Sequence, residues 1–138
     1  MNGPDFLDTN VIVYAYDTTN LEKQQVARNL LKSAVAGKSV ISTQVLAEFA
    51  VALLHKISPR ASADAVMEGL DALANIRLVV PDAGLVRRAV EARVSYGIHF
   101  YDGMIVAAAE RAGCKRIWSE NLNAGQEYFG VVVENPFR

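Results

Sequence analysis

The stretch from residue 5 to residue 14 reads DFLDTNVIVY and places a polar triplet between two apolar runs. The three polar residues are Asp8, Thr9 and Asn10. A short apolar run that stops at polar residues is typical of a buried strand. We therefore predict a strand over residues 5–7, with the Asp8 carboxylate at its carboxyl end.

Outward from this stretch, helix and strand patterns alternate along the chain. Thr19, followed three residues later by Glu22, has the pattern of a capping box and predicts a helix that stops at Gly37. Further short strands are predicted at residues 39–41, 78–80, 116–118 and 131–133. Further helices are predicted after Ser42 or Thr43, over residues 62–76, from Asp82 to about Val94 and over Tyr101–Ala112. This alternation predicts an α/β domain with a mostly parallel sheet.

The composition is that of one globular domain spanning residues 1–138. Hydrophobic residues make up 51% and charged residues 21%, which excludes a disordered or fibrous chain. The formal net charge of −1 excludes nucleic-acid binding by bulk positive charge. Cys114 is the single cysteine, so the chain cannot form an internal disulfide. No apolar run reaches the ~20 residues of a membrane span, and the N-terminus lacks a signal-peptide pattern. We therefore expect a cytoplasmic protein that has no membrane partner.

Oxygen-bearing side chains follow the predicted strands, at points that are far apart in sequence. Asp8 follows the first strand, Glu48 lies early in the helix after the second, and Asp102 lies in the first turn of an alanine-rich helix. The strand that ends at Trp118 is followed by three polar residues, Ser119, Glu120 and Asn121. Because ligands bind at the carboxyl ends of the strands in open parallel sheets, we expect these side chains to converge on one edge of the sheet.

Clustered carboxylates have a specific chemistry, because they raise one another's pKa or require a cation. Oxygen ligands with few His or Cys favour Mg²⁺ or Mn²⁺ over Zn²⁺, and a cation held this way suits phosphodiester hydrolysis. Each acid also has a simpler interpretation. Asp8 could be a turn residue, Glu48 a solvated helical residue, and Asp102 an acid that complements the helix dipole. The order and placement of all three together favour a joint site.

Several motifs in this order resemble the PIN-domain family, and within it the VapC-type toxins of bacterial toxin–antitoxin pairs. They are Leu7-Asp8-Thr9-Asn10-Val11, Glu48 in the helix after the second strand, Tyr101-Asp102-Gly103-Met104-Ile105-Val106-Ala107-Ala108-Ala109, and Ser119-Glu120-Asn121-Leu122 before the ending Asn135-Pro136-Phe137. The resemblance runs from residue 6 to residue 137. It implies a three-layer α/β/α domain with a mostly parallel central sheet.

The resemblance also implies a function, that of a Mg²⁺-dependent endoribonuclease, with Mn²⁺ as an alternative ion. Such an enzyme cleaves structured RNA and is silenced by a VapB-like antitoxin. By matching position, Asp8 and Asp102 would be the principal metal ligands, and Glu48 would bind the metal directly or through water. In supporting roles, Thr9 and Asn10 would shape the loop around Asp8. Ser119 would occupy the hydroxyl position of the motif that it begins. Similar proteins are commonly homodimers, so we expect a homodimer.

Two positions depart from the family pattern. Many PIN domains carry a fourth acid two residues after the hydroxyl, where this chain has Asn121, with Glu120 beside it. Successive residues of an extended segment point to opposite sides, so we expect one of the two to face the metal, and the spacing favours Asn121. Gly103 replaces the alanine that is usual after the third acid, an exchange that we expect to be minor.

Two other functions stay open from the sequence. One is another metal-dependent phosphohydrolase, such as a phosphatase with an aspartyl nucleophile at Asp8. Such enzymes usually have a second Asp where this chain has Asn10. The other is a PIN-like module that binds RNA or protein without catalysis, because Asn121 replaces an acid. In the ribonuclease hypothesis positive side chains must surround the acids, and the sequence does not single out one Lys or Arg for this role.

Overall fold

A computed structural model describes residues 3–138, so Met1 and Asn2 of the predicted domain lie outside the described residues. Within the described part, a six-stranded sheet has the strand order β3-β2-β1-β4-β6-β5. Its strands are β1 Asp5–Leu7, β2 Ser39–Ser42, β3 Arg77–Val79, β4 Arg116–Trp118, β5 Glu127–Tyr128 and β6 Val131–Glu134. Neighbouring strands are parallel, except that β5 runs antiparallel to β6. The prediction of a mostly parallel sheet is confirmed.

Helices cover both faces of the sheet. They are α1 Thr9–Tyr14, α2 Leu21–Ser33, α3 Thr43–His55, α4 Ala63–Leu73, α5 Ala83–Tyr96 and α6 Phe100–Arg111. Helix α1 packs against α2 and α3, α3 packs against α4, and α5 packs against α6. The connections from β1 to β2 and from β2 to β3 run toward one edge of the sheet. The connection from β3 to β4 runs back across the sheet in the opposite direction. Since such crossovers are right-handed, α1–α4 and α5–α6 lie on opposite faces, which confirms the three-layer fold.

The core lies on both sides of the two central strand pairs. Phe6 of β1 pairs in register with Val40 of β2 and Ile117 of β4, and all three side chains are fully buried. On one face, the alanine-rich helix α6 is buried from Gly103 to Ala109. This burial explains why its sequence is apolar on every side rather than on one stripe. Asp102 directly precedes this buried segment.

Three local features of the structure were not predicted from the sequence. Residues 11–14 continue as helix α1, because the Asp8 side chain caps a helix that starts at Thr9. Helix α2 is capped by Asn20 rather than by the predicted Thr19, and Asn20 Oδ1 accepts a hydrogen bond from the Lys23 N–H at 3.0 Å. Strand β5 was not predicted, because a two-residue strand leaves too short an apolar pattern to recognise.

Position 103 is a point of close helix packing. A Cβ atom on Gly103 would lie 2.6 Å from the carbonyl oxygen of Ala89 in α5, well inside the van der Waals distance. The expectation that an alanine-to-glycine exchange is minor is therefore wrong for packing, because α5 and α6 approach each other through this glycine. Across the described residues, no helix is both long and apolar enough to cross a membrane.

Candidate active site

Asp8 lies where the direction of the chain across the sheet reverses. From β1 the chain moves to β2 on one side, and it later returns to β4 on the other side. Such a switch point opens a crevice at the carboxyl ends of the two strands. The Asp8 N–H donates to the Trp118 carbonyl oxygen at 3.0 Å and so extends the β1–β4 pairing by one residue. The Asp8 side chain is thereby fixed at the mouth of this crevice.

The Asp8 carboxylate is buried and hydrogen-bonded on both oxygens. Its Oδ1 accepts from the Thr9 N–H at 2.7 Å. Its Oδ2 accepts from the Ser119 hydroxyl at 2.8 Å and from the Asn10 amide at 3.2 Å. Burial raises the pKa of Asp8 from 3.8 to about 6, although the Ser119 and Thr9 hydrogen bonds lower it. The charges of Glu48 and Asp102 raise the pKa further, which shows that the three acids share one electrostatic environment.

Asp102 is half-buried in the first turn of α6. Burial raises its pKa, the neighbouring His99 lowers it, and the charge of Glu48 raises it. His99 itself caps α6, because its Nδ1 accepts a hydrogen bond from the Tyr101 N–H at 3.2 Å. Within residues 3–138, no group donates a hydrogen bond to the Asp102 carboxylate, so both of its oxygens remain available to a ligand.

Glu48 is held by donors on both of its carboxylate oxygens. The Thr9 hydroxyl donates to Oε1 at 2.6 Å, and the Gln44 amide donates to Oε2 at 3.2 Å. The Gln44 amide also donates to the Tyr101 carbonyl oxygen at 3.0 Å and so ties α3 to the first turn of α6. Sequence reasoning missed Gln44. Its position four residues before Glu48, on the same face of the helix, was the available signal.

The two candidates for the last motif have different environments. The Glu120 carboxylate accepts a hydrogen bond from the Tyr14 hydroxyl at 2.7 Å and forms an ion pair with Lys23. Asn121 is exposed, and within residues 3–138 its side-chain amide forms no hydrogen bond. Glu120 is therefore largely neutralised, whereas the Asn121 amide is free to contact a ligand. Ser119 lies fully buried beneath both residues.

These side chains surround one open cleft of about 800 Å³. Seven of the eight sequence-predicted site residues line it: Asp8, Thr9, Asn10, Glu48, Asp102, Glu120 and Asn121. Ser119 is not part of the lining, but its hydroxyl donates to Asp8 Oδ2 at 2.8 Å and accepts from the Asn121 N–H at 3.2 Å, and both of these residues line the cleft. One wall is apolar and includes Val13 and Val51. Of the basic side chains in the described part of the chain, Lys56 alone lines the cleft.

The donor set fits a hard divalent cation, although not a closed cage. Among residues 3–138, no three His, Cys, Asp or Glu side chains lie close enough together to enclose a metal ion. Mg²⁺, however, usually keeps several waters and takes one or two carboxylates together with phosphate oxygens of the substrate. Asp8 and Asp102 provide two such carboxylates, and among the described residues neither a cysteine nor a histidine, which would favour Zn²⁺, lines the cleft.

Comparisons with known proteins agree with this architecture. The model of the family described as PIN domain matches residues 6–124. No curated protein sequence matches the chain.

Among solved structures, VapC20 of Mycobacterium tuberculosis, a sarcin–ricin loop cleaving toxin, has a TM-score of 0.66 and 18% identity over 85% of this chain and 91% of its own. DNA-bound VapBC from Salmonella typhimurium has a TM-score of 0.70 and 16% identity, over 97% and 98% of the two chains. FitAcB from Neisseria gonorrhoeae has a TM-score of 0.65 and 19% identity, over 96% and 98%. At these identities the likeness shows a shared fold.

Proposed function

This chain belongs to the PIN domain family, and from that premise we propose that it is a metal-dependent endoribonuclease, the toxin of a VapBC-like toxin–antitoxin pair. The observation that carries the proposal is the meeting of Asp8, Glu48 and Asp102 at one cleft. They come from three separate elements, and the pKa of both aspartates is raised, mainly by burial. Carboxylates that are costly to keep charged gain most from a bound cation.

Asp8 and Asp102 would hold a Mg²⁺ or Mn²⁺ ion, because they offer oxygens at the mouth of the cleft. When bound, the ion supplies charge neutralisation at the phosphate and lowers the pKa of a water molecule. Glu48 would contact the ion through a water molecule rather than directly, because its oxygens already accept hydrogen bonds from Thr9 and Gln44. A carboxylate fixed in this way accepts a proton or orients a water in a constant direction.

The supporting residues would keep the ligands in place. The Ser119 hydroxyl, the Asn10 amide and the Thr9 N–H set the rotamer of the Asp8 carboxylate. Asn10 also accepts a hydrogen bond from the Glu120 N–H at 2.9 Å, which joins the loop after β1 to the loop after β4. We assign Asn121, rather than Glu120, to contact with the hydrated ion or the RNA.

The substrate class and the protein partner are inferred from proteins of the same fold. VapC20 cleaves the sarcin–ricin loop, and solved complexes of this fold include VapBC and FitAB assemblies. We propose RNA as the substrate of this chain and a VapB-like antitoxin as its partner. An enzyme of this kind acts in the cytoplasm, where both are present.

The test is cleavage of total RNA by the purified chain with Mg²⁺, with EDTA, and with the Asp102→Asn variant. Asp71→Asn is the matched control, because Asp71 is an exposed acid on α4 outside the cleft. We expect discrete fragments from the native chain and the control, and none with EDTA or Asp102→Asn. RNA binding without cleavage and without a metal requirement would favour the non-catalytic module. A covalent aspartyl-phosphate at Asp8, detected by mass spectrometry, would favour the phosphohydrolase.

A further inference from the structure

Gln44 forms the only hydrogen bond between α3 and α6 within residues 3–138. Its side-chain amide nitrogen donates to the Tyr101 carbonyl oxygen at 3.0 Å, in the first turn of α6, which also carries Asp102. The two helices lie on opposite faces of the sheet, where α3 packs on α1 and α4, and α6 packs on α5. They can therefore meet only beyond the strand ends, and Gln44 lines the cleft that opens there.

The same amide nitrogen also donates to Glu48. The Glu48 Oε2 atom lies 3.2 Å away, about one turn further along α3. A side-chain amide has two N–H groups, so it can supply one to each acceptor. The Tyr101 carbonyl oxygen has two lone pairs, so it can accept this bond without giving up its place in the helix. Gln44 therefore joins Glu48, through one planar group, to the turn that carries Asp102.

The two proposed metal ligands differ in how they are held. Three donors fix the Asp8 carboxylate: the Thr9 N–H, the Asn10 amide and the Ser119 hydroxyl. Within the described residues no group donates to the Asp102 carboxylate, so its place depends on the turn of α6 that carries it. Asp8 caps α1, and α1 packs on α3. The bond from Gln44 to α6 thus restrains the separation of the two carboxylates.

A neutral donor suits this position better than a charged one. Both atoms that Gln44 contacts, a carbonyl oxygen and a carboxylate oxygen, are acceptors, so the side chain between them must donate. A lysine or arginine would also donate, but its charge would offset the negative charge that attracts a cation. The amide fixes Glu48 and α6 and leaves the charge of the cleft unchanged.

The rigidity of a site decides which divalent ion it prefers. Mg²⁺ requires oxygen ligands at about 2.1 Å in near-octahedral geometry, whereas the larger Ca²⁺ accepts about 2.3–2.6 Å and variable geometry. A site whose ligands can move apart therefore loses its preference for Mg²⁺. We propose that Gln44 is a positioning residue that holds the first turn of α6 to α3, so that the cleft binds Mg²⁺ in preference to Ca²⁺. This inference rests on the proposed function, in which Asp8 and Asp102 hold the ion.

Displacement of bound Mn²⁺ tests the proposal without any measurement of RNA cleavage. Electron paramagnetic resonance reports the free Mn²⁺, and Mg²⁺ or Ca²⁺ is titrated in to give a Kd for each ion at pH 7.5. The native chain should bind Mg²⁺ more tightly than Ca²⁺. Gln44→Met keeps the length of the side chain and removes both hydrogen bonds. It should lower the ratio of the Ca²⁺ Kd to the Mg²⁺ Kd by about fivefold, as expected when one hydrogen bond that holds the turn is lost.

Two further variants separate the bond to α6 from other effects. Gln25→Met is the matched control, because Gln25 is exposed on α2 outside the cleft and donates to Asn29 four residues further on at 3.1 Å. It should leave both Kd values unchanged. Thr9→Val removes the other donor to Glu48 but leaves the bond to α6 in place. It should leave the ratio of the two Kd values at the native value.

The outcomes distinguish failure of this inference from failure of the proposed function. Native Mg²⁺ binding with an unchanged ratio in Gln44→Met, including an equal loss of affinity for both ions, would overturn the inference alone. A ratio that Thr9→Val lowers as much as Gln44→Met would also overturn it, because the orientation of Glu48 would then set the preference. A native chain that binds none of the three ions would overturn the proposed metal-dependent activity, and this inference with it. Circular dichroism confirms that each variant remains folded.

Discussion

The metal affinity of the cleft should fall steeply between pH 7.5 and pH 5, because Asp8 must lose its proton before it binds a cation. Burial raises the pKa of Asp8 to about 6. At pH 5, about nine in ten Asp8 side chains are then protonated, and the apparent Kd for metal is about tenfold higher than at pH 7.5, equivalent to about 1.4 kcal/mol. With an ordinary pKa, the same pH change would alter the Kd by less than about 10%.

Calorimetric titration with Mn²⁺ at pH 7.5, 6 and 5 measures this effect. Each titration is repeated in two buffers of different ionisation enthalpy, which also measures proton release. At pH 6, Asp8 should release about half a proton for each ion that binds. The Asp71→Asn control should follow the native chain. A Kd that changes less than about twofold over this range, in a chain that remains folded by circular dichroism, would refute the reasoning.

The same proton links pH to the stability of the metal-free chain. The pKa of Asp8 is higher in the folded chain than in the unfolded chain, so protonation favours the folded form. This contribution is fully present below about pH 4 and is lost as the pH rises through about 6. The loss amounts to about 3 kcal/mol by pH 7.5, measurable by urea unfolding. Saturating Mn²⁺ should restore part of it, because the ion binds only the folded form.

Three further results are expected. Ser119→Ala removes a 2.8 Å hydrogen bond that lowers the pKa of Asp8, so the pH dependence of Mn²⁺ binding should move to higher pH. An unchanged midpoint in calorimetry would contradict this. Gly103→Ala should lower the free energy of unfolding in urea by about 1–3 kcal/mol, because its Cβ meets the Ala89 carbonyl oxygen at 2.6 Å. Asp102→Asn should leave the thermal midpoint at pH 7.5 unchanged or higher, because burial makes the charged form costly. A variant unfolded at room temperature would instead show a structural role for Asp102.

The order of strands and helices was predictable because local signals marked it. Strand β2 is a short buried run, and Ser42 at its end caps α3 by accepting the Val45 N–H. Asp82 caps α5 as predicted. The hairpin of β5 and β6 was not predictable in the same way. Its turn places Phe129 at a φ of +48°, where a glycine or asparagine is the recognisable signal. A tertiary contact stabilises this turn instead, because the Phe129 N–H donates to the Tyr96 hydroxyl at 3.0 Å.

The members of the candidate site were predictable from their positions, whereas their environments were not. The position of Asp8 after a buried strand places it at the sheet edge whatever its neighbours are. Its hydrogen bond to Ser119 joins residues that are 111 positions apart, and no local pattern indicates it. The same limit applies to Gln44, whose role depends on the approach of α6 to α3. Sequence periodicity predicts which helix or strand carries a side chain. The contacts between these elements determine the pKa of that side chain and whether its polar atoms are available to a ligand.

The ion pair beside the cleft also bears on how RNA would be held. Lys23 is bound to Glu120 and lies 4.8 Å from the centre of the Tyr14 ring, so it already has partners. A cation held in that way loses those contacts if it turns to a phosphate, which offsets what it gains. Lys56 lines the same cleft and forms no salt bridge within residues 3–138. If the chain acts on RNA as proposed, Lys56 rather than Lys23 would contact the RNA phosphates, while Lys23 neutralises Glu120.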